Sequence, residues 1–461
     1  MNLKHFLRLC TTGKPVIRAG CRLYSNRNIL KLSERGMFED IFPDTSADEI
    51  INLFNKSPQR VYAGFDPTAE SLHIGNLLIV MNLLHWQRSG HDVIALIGGA
   101  TGLIGDPSHR TTERPELAEA LVRSNVESIK DNLQTIFKNH EQFFWREGRL
   151  KPVKFVNNLD WYRNINVVEF IRTIGKHLRL GTMLSRTSVK TRLQSETGMN
   201  FTEFTYQVFQ AYDWLYLLNE YNCRFQIGGN DQMGNMKSGH DLIGRVKNAN
   251  VYALTLPLIT TEGGKKYGKS ERNAVWLSPK KSSSFQFYQF FVRTPDSDVE
   301  KLLKLYTFLP LREIAEIVAA HKTSPEKREA QKVLAEQVTL LVHGEEGLQA
   351  ALQASAVLYD RSIESLCKLN AEELVQVFEG ASMVDLMPEP GLTAYELAMK
   401  ANCFKTDHDA MRIINAGGFY INHQKITNVN EAITPGIHVL PNKVTLLRVG
   451  KKTYHVVRWF A

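Results

Sequence analysis

Between residues 60 and 260, short apolar segments alternate with longer segments of helical periodicity. The apolar segments lie at residues 60–65, 92–98, 153–157, 223–228 and 252–259, and helical segments between them include residues 115–144 and 202–221. This alternation is typical of repeated strand-helix-strand units, and it predicts an α/β fold with a parallel sheet. In such a sheet, ligands usually bind at the carboxyl ends of the strands. The order of elements therefore predicts both the fold and the edge that carries the site.

The first strand runs through a turn into a helix, over the sequence YAGFDPTAESLHIGN at residues 62–76. Residues 66–68 have turn chemistry, and the apolar periodicity of residues 77–86 predicts a helix. A helix N-terminus presents free backbone N–H groups with partial positive charge, which suit a polyphosphate. Taken alone, His73 and Asn76 on one face of this helix are more typical of an ordinary capped helix.

Three further segments follow predicted strands. GGATGLIGDP at residues 98–107 has neither the G-x-G-x-x-G spacing of dinucleotide sites nor the Lys-Ser/Thr ending of phosphate-binding loops, so dehydrogenases and ordinary NTPases lose support. Its Asp106 suits either an amine ligand or the capping of local N–H groups. QIGGNDQ at residues 226–232 is a strand end with a glycine turn. GGKKYGKS at residues 263–270 is a basic loop, either solvated or part of a nucleotide site.

The helix predicted at residues 202–221 carries a polar stripe among aromatic residues. Tyr206, Gln210 and Asp213 follow each other at i, i+4 and i+7 and therefore share one face. Such a stripe is either the solvated face of the helix or the wall of a pocket for a small polar ligand.

The basic residues of the chain are concentrated at its amino end. The net charge is +8, and residues 1–33 contain seven of the 56 Lys and Arg residues but none of the 48 Asp and Glu residues. Because this segment also lacks the long apolar core of a secretory signal, it predicts a mitochondrial transit peptide. RLYS at residues 22–25 resembles a matrix-protease cleavage site. The alternative is a disordered basic tail of a cytosolic protein.

The apolar runs and the cysteines argue against a membrane protein and against a fold held by disulfides or zinc. No apolar run approaches the roughly 20 residues that span a bilayer, so we expect no membrane protein. Of the five cysteines, Cys10 and Cys21 lie in the leader, and the other three are widely spaced, which predicts neither a disulfide framework nor a zinc site.

A chain of 461 residues predicts two or three domains. After the leader, residues 34–281 form the predicted α/β domain and residues 282–388 a helical domain. PEPG at residues 388–391 has linker composition. Residues 389–461 form a predicted small α+β domain.

Together, these segments resemble the class I aminoacyl-tRNA synthetases. HIGN at residues 73–76 resembles their His-Ile-Gly-His signature, and KYGKS at residues 266–270 resembles Lys-Met-Ser-Lys-Ser. The finer resemblance is to tyrosyl-tRNA synthetases of the bacterial and organellar type, over about residues 33–461. The segments that carry it are YAGFDPT at 62–68, GDPS at 105–108, NNLDW at 157–161, FTEF at 201–204, QAYD at 210–213 and QIGGNDQ at 226–232.

The resemblance implies a Rossmann-like catalytic domain, an anticodon-binding helical domain and a ribosomal-protein-like RNA-binding domain. It implies that tyrosine is attached to mitochondrial tyrosine tRNA through a tyrosyl-adenylate. The expected partners are L-tyrosine, ATP with Mg²⁺, this tRNA and a second copy of the chain, with no protein-bound metal and no membrane. The expected location is the mitochondrial matrix.

The resemblance also implies a tyrosine site. Tyr62 and Asp213 are expected at the phenol hydroxyl. Asp106, Tyr206 and Gln210 are expected at the ammonium group. Gln232 is expected near the reacting carboxyl group. A buried pair that reads the hydroxyl rejects phenylalanine, which would leave its polar groups unpaired.

For ATP and the reaction, the resemblance implies catalytic roles for His73, Lys266 and Lys269. It places Arg110 and Arg114 on a mobile phosphate loop. The implied ATP-binding residues are Gly64, Asp66, Thr68, His73, Gly75, Asn76, Asp231, Lys266, Lys269 and Ser270.

The sequence departs from the family pattern at three places. Asn76 replaces the second His of the first signature, which keeps a hydrogen-bond donor but no titratable ring. Ala63 stands where many bacterial relatives have a Cys that contacts the ribose. Tyr267 and Gly268 replace Met-Ser in the second signature, although both lysines remain.

Residues 391–461 contain nine Lys and Arg residues but only four Asp and Glu residues. This charge fits RNA phosphate, and the expected RNA-binding residues are Lys405, Arg412, Lys425, Lys451 and Lys452. The alternative for this segment is a solvated docking domain. For the whole chain, the alternatives are a tryptophanyl-tRNA synthetase and a non-catalytic relative that binds RNA or acts in splicing.

Overall fold

The computed structural model describes residues 27–108, 112, 116–259, 274–360, 363–378, 381–450 and 453–460. The chain forms two compact units. The first comprises residues 1–281 and 292–342, and the second comprises residues 282–291 and 343–461. Among the described residues, no helix has both the length and the apolarity needed to cross a membrane.

A six-stranded sheet forms the centre of the first unit. Its strands are β1 (Ile41–Phe42), β2 (Arg60–Phe65), β3 (Asp92–Ile97), β4 (Lys154–Asn157), β5 (Phe225–Gly229) and β6 (Tyr252–Leu256). Their order is β1-β6-β5-β2-β3-β4, and only β1 runs antiparallel to its neighbour. This confirms the parallel α/β sheet predicted from the sequence. Since β2 lies in the middle, the turn after it is flanked on both sides by strand ends.

Helices follow the strands, as the sequence predicts. In this part of the chain they are α1 (Ala47–Lys56), α2 (Ile74–Arg88), α3 (Thr101–Ile104), α4 (Glu119–Asn139), α5 (Leu159–Tyr162), α6 (Val167–Thr173), α7 (Leu180–Leu184), α8 (Thr187–Leu193), α9 (Phe201–Tyr221) and α10 (Met233–Lys247). Helix α2 is buried around most of its circumference, and Leu77, Val80, Leu84 and Trp86 are all fully buried. Such a helix belongs to the interior of the unit, and its N-terminus is fixed in place by that packing.

Helix α9 packs its apolar face against the sheet. Trp214 and Leu217 are fully buried in one core cluster with Tyr62 of β2 and Ala253 of β6. Since α9 is an α-helix, its polar stripe lies beside this buried face and next to the strand ends.

The amino end of the described chain is also packed. A 3-10 helix, Ile29–Arg35, begins after Asn28, whose side chain accepts a hydrogen bond from the backbone N–H of Leu30. Ile29 and Leu32 are 1% and 7% exposed. Both residues lie upstream of residue 34, where the α/β domain was predicted to begin.

Beyond residue 281 the described chain is helical up to residue 377. The helices are α11 (Ser284–Val292), α12 (Asp296–Tyr306), α13 (Leu311–Thr323), α14 (Glu329–Asp360, interrupted at Gly344), α15 (Ile363–Leu366) and α16 (Ala371–Val377). Residues 292–342 belong to the first compact unit.

The second unit contains a five-stranded sheet. Its strands are β7 (Ser382–Leu386), β8 (Phe419–Ile421), β9 (Gln424–Ile426), β10 (Val444–Val449) and β11 (Thr453–Trp459), in the order β7-β11-β10-β8-β9, accompanied by helices α17 (Ala394–Lys400) and α18 (Asp407–Asn415). Strand β7 is parallel to β11, and the other pairs are antiparallel. The predicted helical and α+β regions are therefore both present in the chain.

Candidate active site

The polar groups that surround Asp213 form one end of the candidate site. Asp213 is 2% exposed, and its Oδ2 accepts a hydrogen bond from Asn158 Nδ2 at 3.0 Å. Its Oδ1 accepts from Trp161 Nε1 at 3.0 Å and from the Tyr162 hydroxyl at 2.9 Å. That hydroxyl also lies 2.8 Å from the carbonyl of Phe209, but a carboxylate is the stronger acceptor for its single proton. Asp213 is thus held in one orientation by three donors.

Burial changes the proton affinity of this carboxyl group. The low-dielectric surroundings raise the pKa of Asp213 to about 7, although its three hydrogen-bond donors act in the opposite direction. The group therefore changes its charge near neutral pH, which is unusual for an aspartate.

Two pocket residues each have a buried polar atom without a hydrogen-bond partner among the described residues. These atoms are the Tyr62 hydroxyl and Gln210 Oε1. Burial, followed by the charge of Asp213, raises the pKa of Tyr62 well above its ordinary value, so this hydroxyl keeps its proton. Because an unpaired buried polar atom costs free energy, both atoms are suited to meet a polar ligand.

The other end of the site contains Asp106, which is 8% exposed. One of its oxygens accepts from Gln232 Nε2 at 2.7 Å and the other from the backbone N–H of Ser108 at 2.9 Å. Asp106 and Gln232, predicted from separate segments, are therefore in contact. Tyr206 donates its hydroxyl proton to Asp66 Oδ2 at 2.8 Å, so a residue predicted for tyrosine is bonded to one predicted for ATP.

A continuous set of hydrogen bonds joins the two ends, and we call its members, Asp66, Thr101, Asn158, Tyr206 and Asp213, the pocket frame. Asn158 donates one amide proton to Asp213 and the other to Thr101 Oγ1 at 3.1 Å. Thr101 donates in turn to Asp66 Oδ1 at 2.8 Å, and Asp66 accepts from Tyr206. The frame thus runs from the Asp213 end of the site to the turn after β2.

Close packing around the frame explains part of the glycine-rich segment. A Cβ atom on Gly98 would overlap both Thr101 Oγ1 and Asp66 Oδ1, and one on Gly99 would overlap the side chain of Asn157. A larger residue at position 98 would therefore displace the frame, and one at position 99 would displace Asn157 at the end of β4.

His73 caps the N-terminus of helix α2. Its Nδ1 accepts from the backbone N–H of Gly75 at 3.0 Å, and Asn76 Oδ1 accepts from the backbone N–H of His73 at 3.1 Å. Because Nδ1 is an acceptor, the proton of the neutral ring lies on Nε2. Likewise, Asn76 uses its oxygen in the cap and keeps its NH₂ group as a donor. The helix end therefore combines two side-chain donors with its own backbone N–H groups.

The remaining predicted ATP residues lie at the same strand ends. Gly64 and Thr68 are exposed beside the turn after β2, and Asp231 is partly exposed in the turn after β5. Gly75 is exposed at the N-terminus of α2, where a Cβ atom would lie 2.9 Å from the His73 ring. Among the described residues, no group of three or more His, Cys, Asp or Glu side chains could hold a metal ion.

Several predicted residues lie outside the described residues, namely Arg110, Arg114, Lys266, Lys269, Ser270, Lys451 and Lys452. Of the predicted RNA-binding residues in the second unit, Lys405, Arg412 and Lys425 are exposed, and Arg412 forms an ion pair with Asp409 at 3.0 Å.

Sequence reasoning assigned no role to four residues that the structure places at the site. Asn158, Trp161 and Tyr162 bind Asp213, and Thr101 joins the pocket frame. The available signal was the position of residues 158–162 directly after β4, because polar side chains at the carboxyl end of a parallel strand indicate the ligand edge.

Comparisons with known proteins agree with this geometry. A family model described as tRNA synthetases class I (W and Y) matches residues 55–360. The mitochondrial tyrosine–tRNA ligase of Drosophila melanogaster is 54% identical over 451 residues, which is 97% of each chain. The mitochondrial tyrosine–tRNA ligase of Homo sapiens is 44% identical over 430 residues, covering 92% of this chain and 90% of that one.

A solved structure is also similar. The C-terminally truncated mitochondrial tyrosyl-tRNA synthetase of Aspergillus nidulans aligns with a TM-score of 0.66 and 31% identity, over 77% of this chain and 98% of that chain. The parallel sheet, the capped signature helix and the nearly full-length identity lead to one assignment. The chain belongs to the class I aminoacyl-tRNA synthetases, in the family of the mitochondrial tyrosyl-tRNA synthetases.

Proposed function

We propose that the chain attaches tyrosine to mitochondrial tyrosine tRNA in two steps, through a tyrosyl-adenylate. The observation that carries this proposal is the buried end of the pocket, where the ordered carboxyl group of Asp213 lies near the unpaired hydroxyl of Tyr62. These two groups are complementary to a phenol, which both donates and accepts a hydrogen bond.

The phenol is recognised by the two groups in different ways. Ionised Asp213 can only accept, so the phenol donates its proton to that carboxylate, while Tyr62 donates to the phenol oxygen. Phenylalanine would leave both groups buried and unpaired, and tryptophan offers only a donor N–H in a larger ring. This chemistry favours tyrosine over the tryptophanyl alternative.

The amino acid backbone binds at the opposite end. Asp106 supplies negative charge for the ammonium group, and the unpaired Gln210 Oε1 accepts one of its N–H bonds. The Tyr206 hydroxyl, which donates to Asp66, still has lone pairs to accept another. Gln232 orients Asp106 and lies beside the position of the reacting carboxyl group.

In the first step the tyrosine carboxylate attacks the α-phosphorus of ATP. A bond forms between a carboxylate oxygen and this phosphorus, the bond to the bridging oxygen breaks, and pyrophosphate leaves. Because the attacking carboxylate is already ionised, no general base is needed, and catalysis depends on positioning and charge stabilisation. His73 Nε2–H, Lys266 and Lys269 stabilise the developing charge on the phosphates, with Arg110 and Arg114 on the phosphate loop.

ATP binds as its Mg²⁺ complex at the strand ends. Gly64, Thr68 and Gly75 leave room for the nucleotide, and Asp231 binds the ribose. Asn76 and Ser270 add donors for the phosphates.

In the second step a ribose hydroxyl of the terminal adenosine of the tRNA attacks the tyrosyl carbonyl, and AMP leaves. We assign anticodon binding to residues 282–388 and further RNA binding to residues 389–461. The exposed Lys405, Arg412 and Lys425, together with Lys451 and Lys452, contact phosphate.

The enzyme acts as a homodimer. Half of the large apolar side chains that are exposed in the described residues lie in residues 167–201, among them Val167 and Val168 at 71%, Leu180 at 66% and Phe201 at 76%. Concentrated exposed apolar surface of this kind marks a protein interface, and a second copy of the chain is its occupant. Val168→Asp puts a charge into this surface. In sedimentation velocity, this variant should shift from dimer towards monomer.

The protein acts in the mitochondrion, and we place it in the matrix. The leader ends before Asn28, because Ile29 and Leu32 are part of the folded core. RLYS at residues 22–25 lies immediately upstream and is the proposed cleavage site.

Amino-acid-dependent exchange between ATP and pyrophosphate tests the proposed function. Purified protein without the leader should support exchange with tyrosine and should then tyrosylate mitochondrial tyrosine tRNA. Exchange with tryptophan but not tyrosine would establish the tryptophanyl alternative. RNA binding without exchange of either kind would identify a non-catalytic relative.

A further inference from the structure

The turn that presents His73 is bonded to two segments that are distant in sequence. Residues 275–278 pair with residues 71–74: the backbone N–H of Ile74 donates to Val275 at 3.0 Å, and that of Leu277 donates to Leu72 at 2.8 Å. These bonds tie the backbone on both sides of His73 to the chain that follows the second signature.

Ser71 extends this pairing with its side chain. Its Oγ accepts from the backbone N–H of Ser278 at 3.0 Å. Its proton is shared between Asn132 Oδ1 of helix α4 at 2.9 Å and the neighbouring carbonyl oxygen of Leu72 at 2.8 Å. Ser71 is only 4% exposed, so it is closed off from any substrate. One hydroxyl therefore connects the start of the His73 turn to two other segments of the same unit.

The other side of the turn is bonded to helix α12. The hydroxyl of Tyr306, the last residue of α12, donates to the carbonyl oxygen of Ile74 at 3.2 Å, and Tyr306 is 1% exposed. Arg35 donates to the carbonyl oxygens of Lys304 at 2.7 Å and Thr307 at 2.7 Å, on either side of Tyr306. The position of Tyr306 is thus itself fixed.

We propose that Ser71 and Tyr306 are positioning residues for His73, which they hold in place through the backbone without contacting a substrate. The direction of the His73 ring is set by its cap on Gly75, so it follows the backbone of this turn. Charge stabilisation in a transition state depends on sub-ångström placement of the donor. This inference rests on the proposed function, since His73 is taken to stabilise the phosphates of ATP.

Tyr306→Phe and Ser71→Ala test the proposal, because each removes a hydroxyl and little else. In tyrosine-dependent exchange, each should lower kcat about three- to tenfold, the effect expected from one lost hydrogen bond. The KM values for tyrosine and ATP should stay within about twofold of wild type, because neither residue reaches a substrate.

Two matched substitutions serve as controls. Tyr252→Phe removes a buried hydroxyl at the start of β6, at the amino ends of the parallel strands and therefore opposite the ends that carry the site. Ser89→Ala removes a buried hydroxyl directly after the carboxyl end of helix α2. Both should keep the wild-type kcat. If the controls lose as much kcat as Tyr306→Phe and Ser71→Ala, the proposal is wrong.

A double-mutant cycle separates positioning from general destabilisation. Since Ser71 and Tyr306 are proposed to act through His73, Tyr306→Phe should have no further effect on kcat in a His73→Ala background. A loss of kcat that is equal in both backgrounds would overturn the inference, even if Ser71→Ala fails to fold. Wild-type protein without tyrosine-dependent exchange would instead refute the proposed function, so the two failures are distinguishable.

Discussion

At the scale of single residues, Asp213 shows how burial and hydrogen bonding oppose each other in one group. Removal from water favours the neutral carboxyl group, whereas three donors favour the carboxylate. The result is a side chain that is rigid in orientation but titrates near neutral pH. Substrate recognition should therefore depend on pH, because only the carboxylate can accept the phenol proton in the proposed way.

The first prediction concerns this dependence. The pKa of Asp213 is raised to about 7, so the ionised fraction falls as the pH drops below this value. The KM for tyrosine should rise towards acid pH and become constant above about pH 8. Exchange kinetics between about pH 5.5 and about pH 8.5 measure it. The KM for ATP is the internal control, and a KM for tyrosine that does not vary over this range would contradict the assignment.

The second prediction concerns discrimination between tyrosine and phenylalanine. Tyr62→Phe removes the donor to the phenol oxygen, so the ratio of kcat/KM for tyrosine to that for phenylalanine should fall by about tenfold. Exchange with each amino acid measures the ratio, and Tyr252→Phe should leave it unchanged. An unaltered ratio in Tyr62→Phe would remove Tyr62 from the specificity site.

Asp213→Ala provides a stronger test of the same end of the pocket. It removes the acceptor for the phenol and leaves the donors Asn158, Trp161 and Tyr162 unpaired, so tyrosine activation should be abolished. Circular dichroism should show that the variant is folded. Wild-type exchange kinetics in this variant would refute the phenol assignment.

Much of the site was predictable at this scale, for a physical reason. Tyr206, Gln210 and Asp213 share a helix face whatever the tertiary structure, so periodicity placed them together. Asn158 bonds to Asp213 on that face, and Thr101 accepts from Asn158, through tertiary contacts that local sequence does not encode. The bond between Tyr206 and Asp66 is of the same kind.

At the scale of elements, the strands were predictable because parallel strands that are buried on both faces are almost continuously apolar. Strands β2, β3 and β6 all begin at their predicted residues. The attachment of helix ends was not predictable, because it depends on carbonyl groups brought together by folding. Arg35, which bonds around the carboxyl end of helix α12, is the main example.

A prediction follows for this helix end. Arg35 is 6% exposed and donates to the carbonyl oxygens of Lys304, Thr307 and Leu309. Arg35→Met keeps the apolar stem but leaves these oxygens without their charged donor, so the free energy of unfolding should fall by about 2–4 kcal/mol. Urea unfolding followed by tryptophan fluorescence measures the change.

The control for this substitution is Arg123→Met. Arg123 is 66% exposed, and its ion pair with Glu119 is solvated, so the expected change is close to zero. Equal urea midpoints for the two variants would show that Arg35 does not stabilise the end of α12.

At the scale of the whole molecule, the helical and sheet-containing regions occur in the predicted order, and the chain forms two compact units. Residues 292–342 pack with residues 1–281, and residues 282–291 pack with residues 343–461. Helical periodicity shows that one face of a helix is buried, but it does not identify the element that covers it. The compact units could therefore not be derived from the pattern of the sequence.

The extent of the leader gives a prediction at this scale. A chain that begins at Ser25 keeps Ile29 and Leu32, whereas a chain that begins at Glu34 loses both from the core. The shorter chain should be less stable by about 3–6 kcal/mol, from the burial of two large apolar side chains. Thermal unfolding compares the two chains, and mass spectrometry of the mitochondrial protein identifies the natural amino end. An active natural form that begins at or after residue 34 would contradict the prediction.

The pocket frame has a consequence for the recognition of non-proteinogenic amino acids. Because hydrogen bonds join Asp213 to Tyr206 through Asn158, Thr101 and Asp66, the two ends of the pocket cannot move apart independently. The site therefore selects amino acids by the distance between their two polar ends. The ring isomer meta-tyrosine carries the same groups at a shorter separation. We expect this enzyme to reject it by geometry alone, without a proofreading reaction.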